Sequence, residues 1–312
     1  MTGPPAATAA VRVAVRRCLA DLPAAASVAA AVSGGADSLA LAAALAFLRP
    51  GGCALVVDHR LQEGSAAVAT RAAEQCRSLG LVAAVLTAEV LPAGGAGGPE
   101  AAARTARYAA LDTAAQQRDL TAVLLGQTLN DQAETVLLGL ARGSGARALA
   151  GMAAVRGRYR RPLLELDRAT VRQACAEAGL VPWDDPHNDD PSYARVRVRA
   201  SLLPLLEQQL GPGIAGNLAR TARQLREDAD ALDVLAAASA AGPDCAALAA
   251  LLPAVRTRVL KRWAERECGT SVTFAHVDAL RALVDDWHGQ GAVGLPKGVL
   301  VHRRAGRLTS EP

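Results

Sequence analysis

The stretch SGGADS at residues 33–38 sets two glycines and two serines around one carboxylate, just before an alanine- and leucine-rich segment. Glycines let backbone amides turn tightly toward an anion, and the first N–H groups of a following helix add donors and partial positive charge. The GxxxxGK[ST] and GxGxxG patterns are both absent here. Because Asp37 would repel a phosphate unless a cation lay between them, the stretch predicts a phosphate loop used with Mg²⁺. A glycine turn in which Asp37 and Ser38 merely cap the helix is the alternative.

A second pair of carboxylates, Asp131 and Glu134, lies in DQAET at the start of a predicted helix. Residues three apart fall on one face of a helix, so the two acids point the same way. With Asp37, they could hold Mg²⁺ and serve in acid–base chemistry. Acids that simply complement the helix dipole are the alternative.

The elements that must position these groups follow an alternating pattern in the first half of the chain. The apolar runs VAAAV (28–32), CALVV (53–57), VAAVLT (82–87) and TAVLLG (121–126) are typical of buried parallel strands. Helical patterns follow each of them, at 38–47, 65–78, 99–117 and 131–140. This alternation predicts an α/β fold with a doubly wound parallel sheet. Ligands bind at the carboxyl ends of such strands, so SGGADS and DQAET should meet at one sheet edge.

The second half of the chain is predominantly helical in pattern. Helices are predicted at 167–178, 196–208, 217–240, 246–251, 253–266 and 273–286, followed by a strand-like tail, GVLVHRR. The stretch GPGIAG at 211–216 breaks the chain, so we predict an N-terminal domain over 1–210 and a second, smaller helical domain over 211–312. The segment WDDPHNDDP at 183–191 is rich in possible metal ligands, but its prolines and asparagine favour a connecting loop.

Charge is concentrated in two arginine-rich segments, although the net charge of the 312 residues is only +4. Residues 142–172 carry eight arginines against two acids, and residues 195–226 carry six against Glu207 alone. Such clusters are typical of surfaces that bind a phosphate backbone, and a solvated basic face is the alternative.

Several classes of protein are excluded by composition. Six widely spaced cysteines without a CxxC pattern indicate neither a metal site nor a disulfide framework. The sequence contains no uncharged apolar run long enough to indicate a membrane span. Its N-terminus lacks the residue order of a signal peptide. We therefore expect a cytoplasmic protein, monomeric or homodimeric, with no membrane partner.

The stretch SGGADS resembles the SGGxDS loop of the N-type ATP pyrophosphatases, the PP-loop enzymes, which split ATP between its α and β phosphates. Within that group, residues 28–210 resemble the tRNA(Ile)-lysidine synthase family. The similar blocks, in family order, are VVDHRLQEGS, EAAARTARYAAL, LLGQTLNDQAETVLLGLARGSG, RRPLLEL and VPWDDPHNDDPSYARVRVRASLLPLLE. The short C-terminal part is similar to the abbreviated versions of this family. Several blocks in order are far more specific than any single motif.

The resemblance implies an adenine nucleotide alpha hydrolase-like fold and a carbon–nitrogen ligase with ATP and Mg²⁺ as cofactors. ATP would adenylate the carbon-2 oxygen of the wobble cytidine in an isoleucine tRNA with a CAU anticodon. The amine of L-lysine would then attack carbon-2 and expel AMP, giving lysidine. The helical domain would help to hold the tRNA stem.

The resemblance also implies roles for individual residues. Catalytic roles fall on Asp37, Asp131 and Glu134, with Asp37 and Asp131 also as Mg²⁺ ligands and the acids orienting or deprotonating the lysine amine. ATP binding falls on Ser33, Gly34, Gly35, Ala36, Asp37, Ser38, Arg104, Arg107 and Gln127. Contact with tRNA falls on Arg195, Arg197 and Arg199. Without the resemblance, Arg104 and Arg107 would fit a salt-bridged helix surface nearly as well.

The sequence departs from the family pattern at three positions. The family block reads roughly GHxxDDQxET, whereas this chain has Gln127 in place of the histidine and Asn130 in place of the first aspartate. Arg60 stands where a glycine is usual. Gln127 keeps a hydrogen-bond donor and acceptor but cannot titrate, and Asn130 removes one negative charge while still able to cap a helix.

Two alternatives to lysidine formation follow. Another PP-loop tRNA-modifying enzyme is the first, but a tRNA thiolase should show paired cysteines, and GMP or NAD synthetases should lack the ARxxRY and RxRxR blocks. A weakly active paralogue that binds tRNA without modifying it is the second, and the changes at 127 and 130 motivate it. Because all three acids are retained, we favour an active enzyme.

Overall fold

The computed structural model describes residues 3–58, 60, 64–88, 98–143 and 145–311. The chain divides into two compact units, Met1–Arg223 and Gln224–Pro312. The predicted domain boundary falls slightly earlier, at Gly211, whose positive φ of 93° ends a helix. That boundary stays a prediction.

A six-stranded sheet forms the centre of the first unit, in the order β3-β2-β1-β4-β6-β5. Its strands are β1 Val28–Val32, β2 Cys53–Asp58, β3 Val82–Thr87, β4 Ala122–Leu124, β5 Val155–Arg156 and β6 Tyr159–Arg160. All neighbours pair in parallel except β5, which runs antiparallel to β6. The predicted parallel sheet is therefore confirmed, and two short strands extend it.

Helices connect the strands of the first unit and follow the sheet. They are α1 Ala6–Cys18, α2 Ala36–Leu48, α3 Ser65–Ser78, α4 Gly98–Gln117, α5 Leu129–Ala141, α6 Ala146–Leu149, α7 Arg168–Glu177, α8 Ala194–Arg197 and α9 Leu203–Leu210. A π-helical turn, Val198–Leu202, joins α8 to α9. The next helix, α10 Ile214–Ala238, contains the division between the two units.

The sheet is covered on both faces, as alternation along its strands requires. Val28, Ala30 and Val32 of β1 face a cluster built from α1, α2, α3 and α7. Ala29 of β1 faces the opposite cluster, which includes Leu111 of α4. The doubly wound arrangement therefore brings the carboxyl ends of β1 and β4 side by side, with α2 and α5 beginning there.

The second unit combines helices with a small sheet. After the end of α10 come α11 Cys245–Ala249, α12 Pro253–Cys268 and α13 Phe274–Asp285, then strands β7 Val293–Gly294, β8 Leu300–Arg304 and β9 Arg307–Glu311. The strands form an antiparallel sheet in the order β7-β8-β9, and Val301 and Leu308 of this sheet share a core with Trp263 and Leu280. The predicted strand-like tail contains β8, whereas β7 and β9 were not predicted. Within the described residues, no helix is long and apolar enough to cross a bilayer.

Candidate active site

The loop after β1 is folded by its own serines. Ser38 Oγ accepts a hydrogen bond from the Ser33 backbone N–H at 3.1 Å and donates one to the Gly35 carbonyl at 2.9 Å. Gly34 has φ of +87°, a conformation that L side chains rarely adopt. We call residues 33–38 the PP loop. Its hydrogen bonds preform a tight turn that leads into α2.

The start of α2 leaves its backbone donors available. Gly35 is the N-cap residue, and no side chain caps the first N–H groups of the helix. Uncapped helical N–H groups and the helix dipole together favour an anion at this position. The structure therefore retains the feature on which phosphate binding was predicted.

Gly126, two residues beyond β4, lets that strand approach the PP loop closely. A Cβ atom at this position would lie 3.2 Å from the carbonyl oxygen of Asp37 and 3.3 Å from Ser38 Cα. These contacts are with backbone atoms, so they have little room to yield. The glycine thereby allows the residues after β4, including Gln127, to line the same cavity as the PP loop.

Asp37 lies in a desolvated position with few partners. Its Oδ1 is buried and has no hydrogen-bond partner, and its Oδ2 lies 3.8 Å from Arg168 Nε. Burial, which the nearby Arg168 only partly offsets, raises the pKa of Asp37 to about 6. Asp37 is therefore a carboxyl group short of positive charge and of hydrogen-bond donors.

Asp131, in contrast, uses both of its carboxylate oxygens. Its Oδ2 accepts hydrogen bonds from the Thr128 backbone N–H at 2.8 Å and the Thr128 hydroxyl at 3.0 Å, which caps α5. Its Oδ1 accepts a hydrogen bond from Arg168 Nη2 at 2.9 Å. This acid therefore belongs both to the helix start and to the site.

Glu134 is fully buried and surrounded by three arginines. Arg199 Nε donates to Glu134 Oε1 at 2.8 Å, and Arg199 Nη2 donates to Oε2 at 3.1 Å. Arg168 Nη1 donates to Oε1 at 3.2 Å, and Arg195 Nε lies 3.3 Å from Oε2. Burial acts to lower the pKa of Arg199, but the hydrogen bond and charge of Glu134 outweigh it and raise that pKa. Glu134 therefore organises arginines and is itself out of reach of a ligand.

A cavity of about 610 Å³ contains most of the predicted residues. From the predicted set, it is lined by Ser33, Gly35, Ala36, Asp37, Ser38, Arg104, Arg107, Gln127, Asp131, Arg195 and Arg199. The segment predicted as a connecting loop contributes Trp183, Asp184, Asp185, Asn188 and Asp189. The volume suits a nucleotide-sized ligand.

Gly34, Glu134 and Arg197 are the predicted residues outside this lining. Arg197 is exposed, and its Nη1 donates to the carbonyls of Pro191 and Ser192 at 2.7 Å each. The segment is helical here, so Arg195 and Arg199, four residues apart, share a face while Arg197 points away. Helical spacing of the RVRVR stretch is therefore enough to place Arg197 on a different face from Arg195 and Arg199.

Arg104 and Arg107 of α4 give the cavity a basic wall. Within the described part of the chain, neither arginine pairs with a carboxylate; their guanidinium groups lie 5.2 Å and 5.8 Å from the centroid of the Tyr108 ring. Desolvation lowers the pKa of Arg107, and the charges of Arg104, Arg195 and Arg161 act in the same direction. Because the desolvated charge of Arg107 is costly without a counter-ion, an anion bound at this wall would be stabilised.

Two of the three departures from the family pattern can be placed in the site. Gln127 lines the cavity, and its Oε1 is buried without a hydrogen-bond partner. Asn130 accepts a hydrogen bond from the Arg168 backbone N–H at 2.8 Å through its Oδ1. Arg60, the third, has φ of +51°, in the region where glycine is favoured.

Arg168 is a residue of the site that the sequence analysis did not single out. Its side chain contacts all three predicted catalytic acids, yet in the sequence it is one of eight arginines in a basic segment. Other arginines of that segment are also used internally: Arg160 pairs with Asp21, and Arg172 pairs with Asp184 at 2.8 Å. The only signal in the sequence was the dipeptide Asp167–Arg168, in which a possible helix-capping acid precedes an arginine. The segment is therefore not a free phosphate-facing surface throughout.

The acids of the site do not form a metal-binding group by themselves. Among the described residues, no three His, Cys, Asp or Glu side chains lie together in such a group. Mg²⁺ bound with a nucleotide typically needs one or two carboxylates, with phosphates and water completing its shell. The buried, unpartnered Oδ1 of Asp37 fits that arrangement.

Comparison with protein families gives two matches. The PP-loop domain family matches residues 8–206, and the TilS substrate binding domain family matches residues 244–309. The first covers the sheet and the cavity described above, and the second lies within the second unit.

Curated relatives match nearly the whole chain. The tRNA(Ile)-lysidine synthase of Thermobifida fusca is 52% identical, with 99% of this chain and 98% of that protein covered. The enzyme of the same name from Leifsonia xyli subsp. xyli is 53% identical, with 90% of this chain and 88% of that protein covered. That from Salinispora arenicola is 53% identical over 96% of this chain and 95% of its own length.

A solved structure shares the fold at much lower identity. U34-tRNA thiolase NcsA from Methanococcus maripaludis aligns with a TM-score of 0.59 at 18% identity, covering 71% of this chain and 80% of that one. This likeness shows the fold alone. All six cysteines of the present chain are free thiols, four of them buried, and no two form the pair expected of a thiolase.

Proposed function

The chain belongs to the tRNA(Ile)-lysidine synthase family, and from that premise we propose that it joins L-lysine to the wobble cytidine of a CAU-anticodon isoleucine tRNA. The reaction consumes ATP, L-lysine and tRNA and produces lysidine-containing tRNA, AMP and pyrophosphate. It forms a carbon–nitrogen bond. The observation that carries the proposal is one cavity in which an uncapped phosphate loop, a desolvated carboxyl group and a wall of arginines meet.

The PP loop binds the phosphates of ATP during the first step. The free N–H groups at the start of α2 donate to phosphate oxygens, and Ser33 adds a hydroxyl donor. Arg104 and Arg107 supply positive charge from the other wall, where no carboxylate neutralises them among the described residues. These donors stabilise the charge that develops as the cytidine oxygen attacks the α-phosphate and pyrophosphate leaves.

Asp37 would hold the cation that accompanies ATP. Bound Mg²⁺ would neutralise phosphate charge in this site, with Asp37 as its first carboxylate ligand and Asp131 as the second candidate. A nearby cation would stabilise the ionised form of the desolvated Asp37 carboxyl group. This stabilisation should be larger than for Asp131 and Glu134, which already pair with arginines. This acid therefore serves the nucleotide rather than the fold.

The lysine amine is oriented by the acids at the start of α5. Asp131 lines the cavity and can accept a hydrogen bond from the amine, whereas Glu134 is buried and acts through Arg168, Arg195 and Arg199. Positioning the amine next to the adenylated carbon converts the attack into an intramolecular-like step. The amine then adds to carbon-2, and AMP leaves with the electrons of the carbon–oxygen bond.

Arginines beyond α7 and the second unit are proposed to hold the tRNA. Arg197 is exposed, and Arg195 and Arg199 lie at the cavity wall. The match of residues 244–309 to a substrate binding domain supports a role for the second unit in gripping the tRNA stem. Substrates of this kind imply action in the cytoplasm.

The deciding experiment is incubation of the folded protein with ATP, Mg²⁺, labelled lysine and total bacterial tRNA. We expect label in isoleucine tRNA and release of AMP that depends on lysine. The Asp37→Ala variant, which keeps the loop serines, is the matched control. A folded protein that binds tRNA but incorporates no label would favour the weakly active paralogue, which the changes at Gln127 and Asn130 motivate.

A further inference from the structure

Arg168 is held in place from both directions. Its side chain reaches Asp131 and Glu134 on α5, and its backbone N–H donates to Asn130 on the same helix at 2.8 Å. The Leu129 backbone N–H also donates to the Leu166 carbonyl at 2.9 Å. The starts of α5 and α7 are therefore fastened to each other by backbone and side-chain contacts together.

The helix that carries Arg168 is itself fixed. Val171, Ala174 and Cys175 of α7 are buried in the core that covers one face of the sheet. Asp167 caps α7 by accepting a hydrogen bond from the Thr170 backbone N–H at 2.7 Å. The backbone of Arg168, the first residue of α7, is therefore fixed by this packing, and hydrogen bonds to Asp131 and Glu134 fix its guanidinium.

The contacts of the Arg168 guanidinium are unequal. It lies 2.9 Å from Asp131 and 3.2 Å from Glu134, both within hydrogen-bond range, but 3.8 Å from Asp37. Charge-assisted bonds at the shorter distances are the stronger ones, whereas the contact with Asp37 is only electrostatic. The guanidinium thus belongs to the α5 acids and leaves the Oδ1 of Asp37 without a partner.

We propose that Arg168 is a positioning residue that fixes Asp131 and Glu134 for the lysine step while leaving Asp37 to the cation bound with ATP. This inference rests on the proposed function. The α5 acids are paired with Arg168, Arg195 and Arg199, so Asp37 is the first carboxylate ligand for the metal and Asp131 is only a second candidate. Asn130 supports this arrangement by accepting the backbone hydrogen bond of Arg168.

The proposal predicts a split between binding and turnover in Arg168→Met. Without the guanidinium, Asp131 loses its hydrogen bond to α7, although Thr128 still binds its other oxygen and Arg199 still holds Glu134. The kcat for lysidine formation should fall about 100-fold, because Asp131 is then less well oriented toward the amine. Loss of a positive charge near Asp37 should at the same time lower the half-saturating Mg²⁺ concentration at least about threefold. Calorimetric titration with Mg²⁺ and ATP, without lysine or tRNA, measures the binding arm independently of activity.

Arg172→Met is the matched charge control. Arg172 lies one turn further along α7 and also lines the cavity, but it pairs with exposed Asp184 and not with the α5 acids. Arg172→Met removes the same unit of charge as Arg168→Met, so the half-saturating Mg²⁺ concentration of this variant should also decrease. Its loss of kcat should be at least about tenfold smaller than the loss in Arg168→Met. Equal losses of kcat in the two variants would overturn the proposal.

A second pair of variants tests positioning without changing the guanidinium. Asn130→Ala removes the acceptor for the Arg168 backbone N–H, and Asn130→Asp keeps one. We expect Asn130→Ala to raise KM for lysine and lower kcat about tenfold, with ATP binding retained, and Asn130→Asp to stay within about twofold of the natural protein. Equal activity of these two variants, or parallel loss of ATP binding and kcat in Arg168→Met, would contradict the inference. Absence of lysidine formation in the natural protein would instead contradict the proposed function.

Discussion

The PP loop and the start of α5 both present acids to one cavity, but they treat those acids differently. At the PP loop, burial raises the pKa of Asp37 to about 6, and its Oδ1 has no hydrogen-bond partner. At α5, Asp131 accepts hydrogen bonds from Thr128 and pairs with Arg168 and Arg199, and Glu134 pairs with three arginines. The acid of the PP loop therefore lacks hydrogen-bond donors, whereas the acids of α5 are paired with arginines and hydrogen-bonded.

The difference separates binding of a ligand from construction of the site. A carboxyl group without partners costs folding free energy and is therefore suited to a ligand that arrives later. Carboxylates saturated by arginines contribute to a fixed framework and are costly to remove. Substitutions at the two regions should therefore fail in different ways.

Asp37→Ala should give the largest loss of activity. If this substitution instead unfolded the protein, the distinction between an acid that serves the ligand and acids that serve the framework would be wrong. We expect the rate of AMP formation to fall by about 10³-fold or more, because charge stabilisation at the phosphates is lost. The free energy of unfolding without ligands should not decrease, since no hydrogen bond to Oδ1 is removed. AMP release and urea denaturation measure the two quantities, and a protein that remains fully active would remove Asp37 from the mechanism.

Glu134→Ala should behave in the opposite way. Removing this fully buried carboxylate leaves Arg168, Arg195 and Arg199 without their shared partner and should lower the free energy of unfolding by about 3 kcal/mol. The arginine heads remain partly exposed, which keeps the loss at the lower end of the range for buried pairs. Urea denaturation beside Asp37→Ala is the measurement. A smaller loss than that of Asp37→Ala would show that the two regions do not differ as described.

The pH dependence of stability sharpens the comparison further. The pKa of Asp37 is raised in the folded protein, to about 6 from 3.8, so the group favours folding most at low pH. Its contribution is lost as pH rises from about 4 to about 6. The ligand-free Asp37→Asn variant should therefore gain about 2 kcal/mol over the natural protein at pH 7.5 and almost none at pH 4. Denaturation curves at both pH values test this, and an equal difference at both would contradict it.

The smallest expected effect concerns Gln127, which borders both regions. Gln127→Leu removes the amide donor and acceptor that this side chain presents to a bound substrate, and it should slow lysidine formation about tenfold. Gln127→His should change the rate less and add a pH dependence near neutrality. Rates across pH 6 to 9, a range of about three units around the imidazole pKa, provide the test. Equal rates for glutamine and leucine would show the position to be inert.

The sheet and its loop were predictable because their signals are local. Buried parallel strands are continuously apolar, and β1, β2 and β3 begin where the apolar runs begin. The separation of Arg197 from Arg195 and Arg199 was not predicted, because the three arginines were treated as one group, although helical spacing places Arg197 on a different face. These features depend on residues close together in the chain.

The charge network of the site was not predictable in the same way. The burial of Glu134 depends on Arg168 and Arg199, which lie 34 and 65 residues further along the chain. No local pattern distinguishes these arginines from solvent-exposed ones. In the second unit, β7 and β9 escaped prediction because β7 has only two residues and β9 buries only Leu308. Short or polar strands carry too little alternation to be recognised.

The contact of Gly126 with the backbone of Asp37 has a consequence for how the protein is made. β1 pairs on one side with β2, which follows it closely in sequence, and on the other side with β4, where Val28 lies beside Ala122. Long-range strand pairing of this kind forms slowly, because a long loop must close first. During synthesis the PP loop emerges early, but the wall that Gly126 brings against it exists only after β4 has been made and inserted. The cavity between the PP loop and the residues after β4 is therefore completed late in folding. Nascent chains that end before β4 should bind no ATP.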